Sequence, residues 1–145
     1  SLISLSLFIY FYEFNQPAAY FLIPNRFWEI ATGCLVFFCY KNNLSRLDLY
    51  AIDQLQKLFC DCNKLEQLDL SKTPALSTLC CYQNKIRQLN LSHTPQLEKI
   101  NCRNNYLTEL DISDLPRLRS LYVKNNYLTR LDISAYPNLN DIDFT

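Results

Sequence analysis

The chain has 145 residues, nearly half of them hydrophobic, with a formal charge of zero and a single glycine, Gly33. That length holds one domain or a little more. The scarcity of glycine argues against glycine-rich phosphate loops and flexible Gly/Ser linkers, and balanced charge with no like-charged block gives no field directed at nucleic acid. The balance hides an asymmetry. Residues 1–38 carry only Glu13, Arg26 and Glu29, while residues 39–145 carry thirteen basic and twelve acidic groups.

The segment 1–34 reads as one or two hydrophobic helices. Residues 1–12, SLISLSLFIYFY, are almost wholly apolar, and after the polar break EFNQP the stretch AAYFLIPNRFWEIATGCLVFF turns apolar again. Pro24 suits a helix start, Arg26 and Glu29 share a helical face, and Tyr20 and Trp28 suit a membrane boundary. Neither run reaches the roughly 20 residues that span a bilayer cleanly. A basic start and a clean cleavage site are missing, so a secretory signal is not expected. Pro24, Arg26, Trp28, Glu29 and Gly33 together resemble a late transmembrane segment of the integral-membrane acyltransferases that O-acylate cell-surface polysaccharides. The resemblance implies membrane association and a bacterial membrane or cell-envelope setting. It also implies an essential acid–base histidine on a much earlier helix, whereas the one histidine here is His93. A second reading of 1–34 is a helical cap over the first coil of the repeat that follows.

From Leu44 a 21-residue unit recurs, with copies beginning at Leu44, Leu65, Ile86, Leu107 and Leu128. Five columns are Leu or Ile in every copy, among them Leu47, Leu68, Leu89, Leu110, Leu131 and Leu58, Leu79, Ile100, Leu121, Ile142. Run backward, the same register places Cys34, Phe37, Cys39 and Asn42 on the repeat's columns, so the repeat domain is expected over 35–145 as a half-repeat plus five repeats. Leu55, Leu58, Cys60, Asn63, Leu65 and Leu76, Leu79, Cys81, Asn84, Ile86 stand at the spacing of a leucine-rich repeat, and the unit resembles the bacterial, internalin-like kind. Tyr50 and Asp53 depart from the pattern in the first copy, and Val123 and Phe144 replace cysteine in the last two. Such departures are expected where a coil has one neighbour only.

Physical reasoning leads to the same fold class, a mainly β repeat solenoid with a parallel sheet; the resemblance implies in addition a right-handed coil with that sheet on its concave face. In x-L-x-C-x, alternate residues face inward, which predicts a strand with one buried face. One coil cannot bury its own apolar edge, so coils stack. The Asn column (Asn42, Asn63, Asn84, Asn105, Asn126) stands where the chain leaves the strand, where a short amide can satisfy backbone groups of adjacent turns. Pro74, Pro95, Pro116 and Pro137 stiffen the return arm. The L-D-L-S stretch belongs to the convex side as a short strand or turn. Cys39, Cys60, Cys81 and Cys102 fall on an inward column and read as compact buried hydrophobes. Neither Cys60-x-Cys62 nor Cys80-Cys81 has zinc spacing, and an odd count of seven thiols fits a disulfide framework poorly. No metal and no cofactor are expected. Asp48, Asp69, Asp111 and Asp132, with Asn90 between them, read as turn caps rather than calcium ligands. The serines two residues later have no histidine placed to activate them, so no catalytic set and no enzyme are expected.

The expected function is binding of a protein or peptide on the open face of the sheet, with membrane tethering through 1–34 as a further expectation and no nucleic-acid partner. The first column of that face runs Val36, Lys57, Thr78, Lys99, Ser120, Asp141; the second Phe38, Phe59, Cys80, Asn101, Tyr122, Asp143; the third Tyr40, Asp61, Tyr82, Arg103, Lys124. The contacts are expected from Phe38, Tyr40, Lys57, Phe59, Asp61, Tyr82, Lys99, Asn101, Arg103, Tyr122 and Lys124, since aromatic and arginine side chains make interface anchors. A fragment of a membrane O-acyltransferase and a purely structural repeat are the alternatives. The last coil is expected to leave a strand edge open at Thr145.

Overall fold

A computed structural model of the chain describes residues 35–49, 52–137 and 139–144. The hydrophobic helices, the membrane segment, the cap and the acyltransferase-like residues Pro24, Arg26, Trp28, Glu29 and Gly33 all lie outside them. Among the described residues no helix is long and apolar enough to cross a membrane.

The chain is a leucine-rich-repeat solenoid. Six short strands, β1 (Leu35–Phe38), β2 (Leu55–Phe59), β3 (Thr78–Cys80), β4 (Lys99–Asn101), β5 (Ser120–Tyr122) and β6 (Asp141–Asp143), form one parallel sheet in sequence order. Register follows the 21-residue unit without slippage: Leu58 pairs with Leu79, Leu79 with Ile100, Ile100 with Leu121 and Leu121 with Ile142. Between β1 and β2 the register shifts by one residue at the Leu35–Val36 step, Leu35 pairing with Leu55 and Val36 with Lys57. All five aliphatic columns point inward, and Leu55, Leu58, Leu65, Leu76, Leu79, Ile86, Leu97, Ile100 and Leu107 are fully buried. They form one continuous core with the inward thiols Cys39, Cys60, Cys81 and Cys102. The tight coil leaves room there for a small side chain, which a thiol fills as an apolar group.

The asparagine column forms a ladder. Asn84 Nδ2 donates at 3.0 Å to both Cys60 O and Cys81 O, and Asn84 Oδ1 accepts from the Leu65 N–H at 3.0 Å. Asn63, Asn105 and Asn126 repeat this pattern one coil before and one and two coils after. Asn42 joins through its N–H, which donates to Asn63 Oδ1. Each side chain thus ties two coils together at a place where the backbone turns away from its sheet partners.

Two further columns complete the coil. Lys41, Cys62, Gln83, Asn104 and Asn125 all have φ between 54° and 59°. This left-handed step immediately before each ladder position turns the chain out of the sheet. Ile52, Thr73, Thr94, Leu115 and Tyr136 point inward on the return arm. The buried Thr73 and Thr94 hydroxyls donate to Leu70 O and Leu91 O, and the Tyr136 hydroxyl donates to Ile112 O. The L-D-L-S stretch is a turn. Asp69, Asp111 and Asp132 accept the N–H of Ser71, Ser113 and Ser134 at 2.9 Å, and Asn90 accepts that of Ser92. These bonds hold the three aspartates below the usual carboxylate range. The carboxylates cap turns, as the spacing predicts.

Candidate functional site

The concave face is fixed by the strands. Alternation turns Leu58, Leu79, Ile100 and Leu121 inward and leaves their neighbours on the open side, in cross-strand rows set by the register. Lys57, Lys99 and Lys124 are exposed there, and Phe59, Tyr82, Asn101, Arg103 and Tyr122 are half-buried. Tyr40 is exposed beside β1, with the Lys41 ammonium 5.1 Å from its ring centre. Phe38 pairs with Phe59 through its backbone, and its side chain lies outside the description.

The best-defined cluster centres on Tyr122. Its ring has the Lys99 ammonium at 5.5 Å and the Arg103 guanidinium at 4.4 Å. Arg103 Nε donates to Asp143 Oδ2 at 2.7 Å. The guanidinium is therefore held over an aromatic face by a carboxylate two strands away, which cuts the entropy it would lose on meeting a ligand. Asn101 Oδ1 accepts the Arg103 N–H at 3.4 Å.

Asp61 departs from the role expected of it. Its side chain is buried, and Oδ1 accepts the Tyr82 N–H at 3.1 Å. It positions the next coil instead of standing open to a ligand. Burial pushes its carboxyl up to about 6 against the pull of the Tyr82 N–H. The Tyr82 hydroxyl is pushed up to about 12, first by burial and then by the Cys62 thiol and Asp61. Cys80, on the open side of the sheet, is also buried, between Phe59 and Asn101 in register, and its thiol rises to about 11. The inward thiols shift further. Burial lifts Cys102 to about 12, and Cys60 and Cys81 stand well above the ordinary thiol range, Cys60 through its hydrogen bond with Cys39 and burial. Nucleophilic thiol chemistry needs the opposite shift.

One expectation is corrected. A histidine does stand beside a serine: Ser92 Oγ lies 2.9 Å from His93 Nδ1. Both are exposed, and the same hydroxyl lies 2.8 Å from Asn90 Oδ1. The pair belongs to a solvated turn, without the walls that exclude water from a reacting centre.

Sequence reasoning missed the left-handed column, whose residues are chemically unlike one another. It also missed a second concavity, an open groove of about 630 Å³ on the flank just past the asparagine ladder, with Tyr106 and Tyr127 in its wall. Two exposed tyrosines 21 residues apart, where earlier coils carry Lys64 and Lys85, were the available signal.

The family described as Leucine Rich repeats (2 copies) matches residues 95–138. No curated protein matches the chain. Among solved structures, the functional domain of InlJ from Listeria monocytogenes, which includes a cysteine ladder, is 34% identical with a TM-score of 0.72, covering 74% of this chain and 24% of its own. An internalin (inlF) from the same organism is 23% identical with a TM-score of 0.62, covering 67% and 30%. The leucine-rich repeat domain of APL1B is 18% identical with a TM-score of 0.63, covering 98% and 41%. The last two likenesses concern the fold alone. The chain thus spans between about a quarter and two-fifths of these three solved chains.

Proposed function

We propose that the chain is a non-enzymatic scaffold that binds a protein or peptide segment on the concave face of its sheet. Leucine-rich repeats generally serve as protein-binding scaffolds, and the chain is similar to internalin repeats over most of the described residues. The observation that carries the reading is the Tyr122 cluster: an aromatic ring flanked by Lys99 and by an arginine fixed through Asp143. Phe59, in the row of Tyr122, and Tyr82, in the next row with Arg103, add aromatic side chains on earlier coils, and Lys57 and Lys124 supply cations on either side. Rigid aromatic and arginine anchors contribute most of the energy in interfaces of this kind. Six strands at about 4.8 Å give a face roughly 24 Å across, which suits an extended peptide or a small patch of another protein. The membrane tether and the acyltransferase alternative draw on residues 1–34 alone, and neither gains support from the repeat's relatives.

The test is selection of peptides from a displayed random library on the immobilised chain, followed by titration against a variant with Phe59, Tyr82, Arg103 and Tyr122 all changed to Ala. The expected outcome is at least a tenfold loss of affinity with a cooperative melt retained. Selected peptides that bind the variant as well as the parent would place the binding surface elsewhere.

A further inference from the structure

The flank groove lies outside the concave face, and the proposed function makes no use of it. It runs along the solenoid axis over residues that alternate with the inward Leu65, Leu68, Ile86, Leu89 and Leu107. From Glu66 to Tyr127 it crosses three coil steps, about 14 Å at about 4.8 Å each. One wall is aromatic. Tyr106 and Tyr127 are 43% and 64% exposed, their ring centres 6.1 Å apart and their planes tilted by 35°. The other lining groups are polar and mostly planar. Gln67 and Gln88 stand one coil apart and bring two amides, each with two donors and an acceptor. Glu66 and Arg87, also one coil apart, bring opposite formal charges, so this part of the lining carries no net charge. Thr108 adds a hydroxyl.

We propose that this groove binds a neutral oligosaccharide. Exposed tyrosine rings offer flat faces with a polar tip, which match the C–H faces of a sugar ring. Amide, carboxylate and guanidinium groups each bond two atoms in one plane, which matches a pair of neighbouring hydroxyls that both donate and accept. Glu66 disfavours a phosphate or sulfate ligand, and Arg87 disfavours a cationic one. A peptide main chain would compete here with bonds already made. The N–H groups of Lys85, Tyr106 and Tyr127 are already bonded to Leu65 O, Ile86 O and Leu107 O at 2.8 Å, so these three are not offered to an added strand. What remains to recognise a ligand is side-chain chemistry, spread along an open channel that a short chain of linked units can follow.

The experiment is titration calorimetry of the chain with tetra- to hexasaccharides derived from glucan, mannan, xylan and chitin, with heparin-type and polyglutamate oligomers as charged probes. Binding of at least one neutral oligosaccharide is expected. Affinity should fall at least tenfold in Tyr127→Ala and in Tyr106→Ala, with the melting midpoint held, because both side chains lie on the surface. Tyr127→Phe should keep most of the affinity, since the ring face remains. The concave-face change Tyr122→Ala should leave sugar binding untouched, so the two sites fail independently. Absence of binding to every neutral oligosaccharide, equal binding by both Tyr→Ala variants, or preference for a charged probe would overturn the proposal.

Discussion

The middle coils and the last coil carry the same pattern and bury it differently. Ile100 and Ile142 occupy one column, yet Ile100 is fully buried and Ile142 is 41% exposed; Ile112 and Ile133 occupy another, at 3% and 42%. Within the described residues, a middle coil has a neighbour on each side and the last coil has one. An aliphatic column therefore encodes a capacity for burial, and the adjacent coil realises it. Stability in such an array is close to a sum over coils and their contacts, so identical residues should differ in energetic weight according to position.

The sharpest way to break that comparison is a matched pair of truncations. Ile100→Ala removes side-chain atoms from a packed site and is expected to destabilise by about 3–4 kcal/mol, whereas Ile142→Ala at the open edge should cost under about 1 kcal/mol. Urea denaturation reads both, and equal losses would contradict the neighbour argument. Next comes Asn84→Ala, which strands the Leu65 N–H and leaves Cys60 O and Cys81 O without their amide donor. A loss of about 1–3 kcal/mol is expected, and an unchanged melting midpoint would remove the ladder from the account.

A smaller effect separates the concave face from the core. The Asp61 carboxyl holds its proton up to about pH 6 in the fold, whereas the unfolded chain releases it near 3.8. Its contribution to stability is therefore fully present below the unfolded value and is lost as pH rises through about 6. Asp61→Asn keeps an acceptor for the Tyr82 N–H without the buried charge. It should raise stability at pH 7 by about 1 kcal/mol, allowing for partial solvent screening, and flatten the decline between pH 4 and 7. The turn aspartates Asp69, Asp111 and Asp132 act in the opposite sense, so the difference between variant and parent across pH is the quantity to measure. The smallest effect belongs to the left-handed column. Gln83 has φ of 54°, a conformation asparagine tolerates better, as at Asn104 and Asn125. Gln83→Asn should gain a small increment of stability in the same denaturation assay, and a loss would show that the contact between the Cys62 thiol and Gln83 Oε1 outweighs backbone strain.

What repeats with one chemistry was legible in the sequence, and what repeats only in geometry was not. Leu, Ile, Asn and the inward Cys recur as types, so the core, the register and the ladder could be read before any coordinates. The inward return-arm column escaped because Thr73 and Thr94 stand among Ile52, Leu115 and Tyr136, and a buried hydroxyl bonded to its own turn is invisible to a hydrophobic pattern. The left-handed column escaped because only backbone angles unite Lys41, Cys62, Gln83 and the two asparagines. On the concave face the columns were readable from alternation alone. The seating of Asp61 beneath the Tyr82 N–H was not, because that depends on how the next coil lies across it. The flank groove is a relation between coils, and its lining changes type from one copy to the next.

The central claim is that each asparagine side chain holds the backbone of the coil before it as well as its own. Residue-resolved amide hydrogen exchange tests it most directly. In the parent the Leu65, Ile86 and Leu107 N–H groups, each bonded to the asparagine of the following coil, should exchange slowly. In Asn84→Ala the Leu65 N–H should lose at least tenfold in protection while Leu107 keeps its own. Leu65 protection unchanged in that variant, or lost equally at all three amides, would contradict the account.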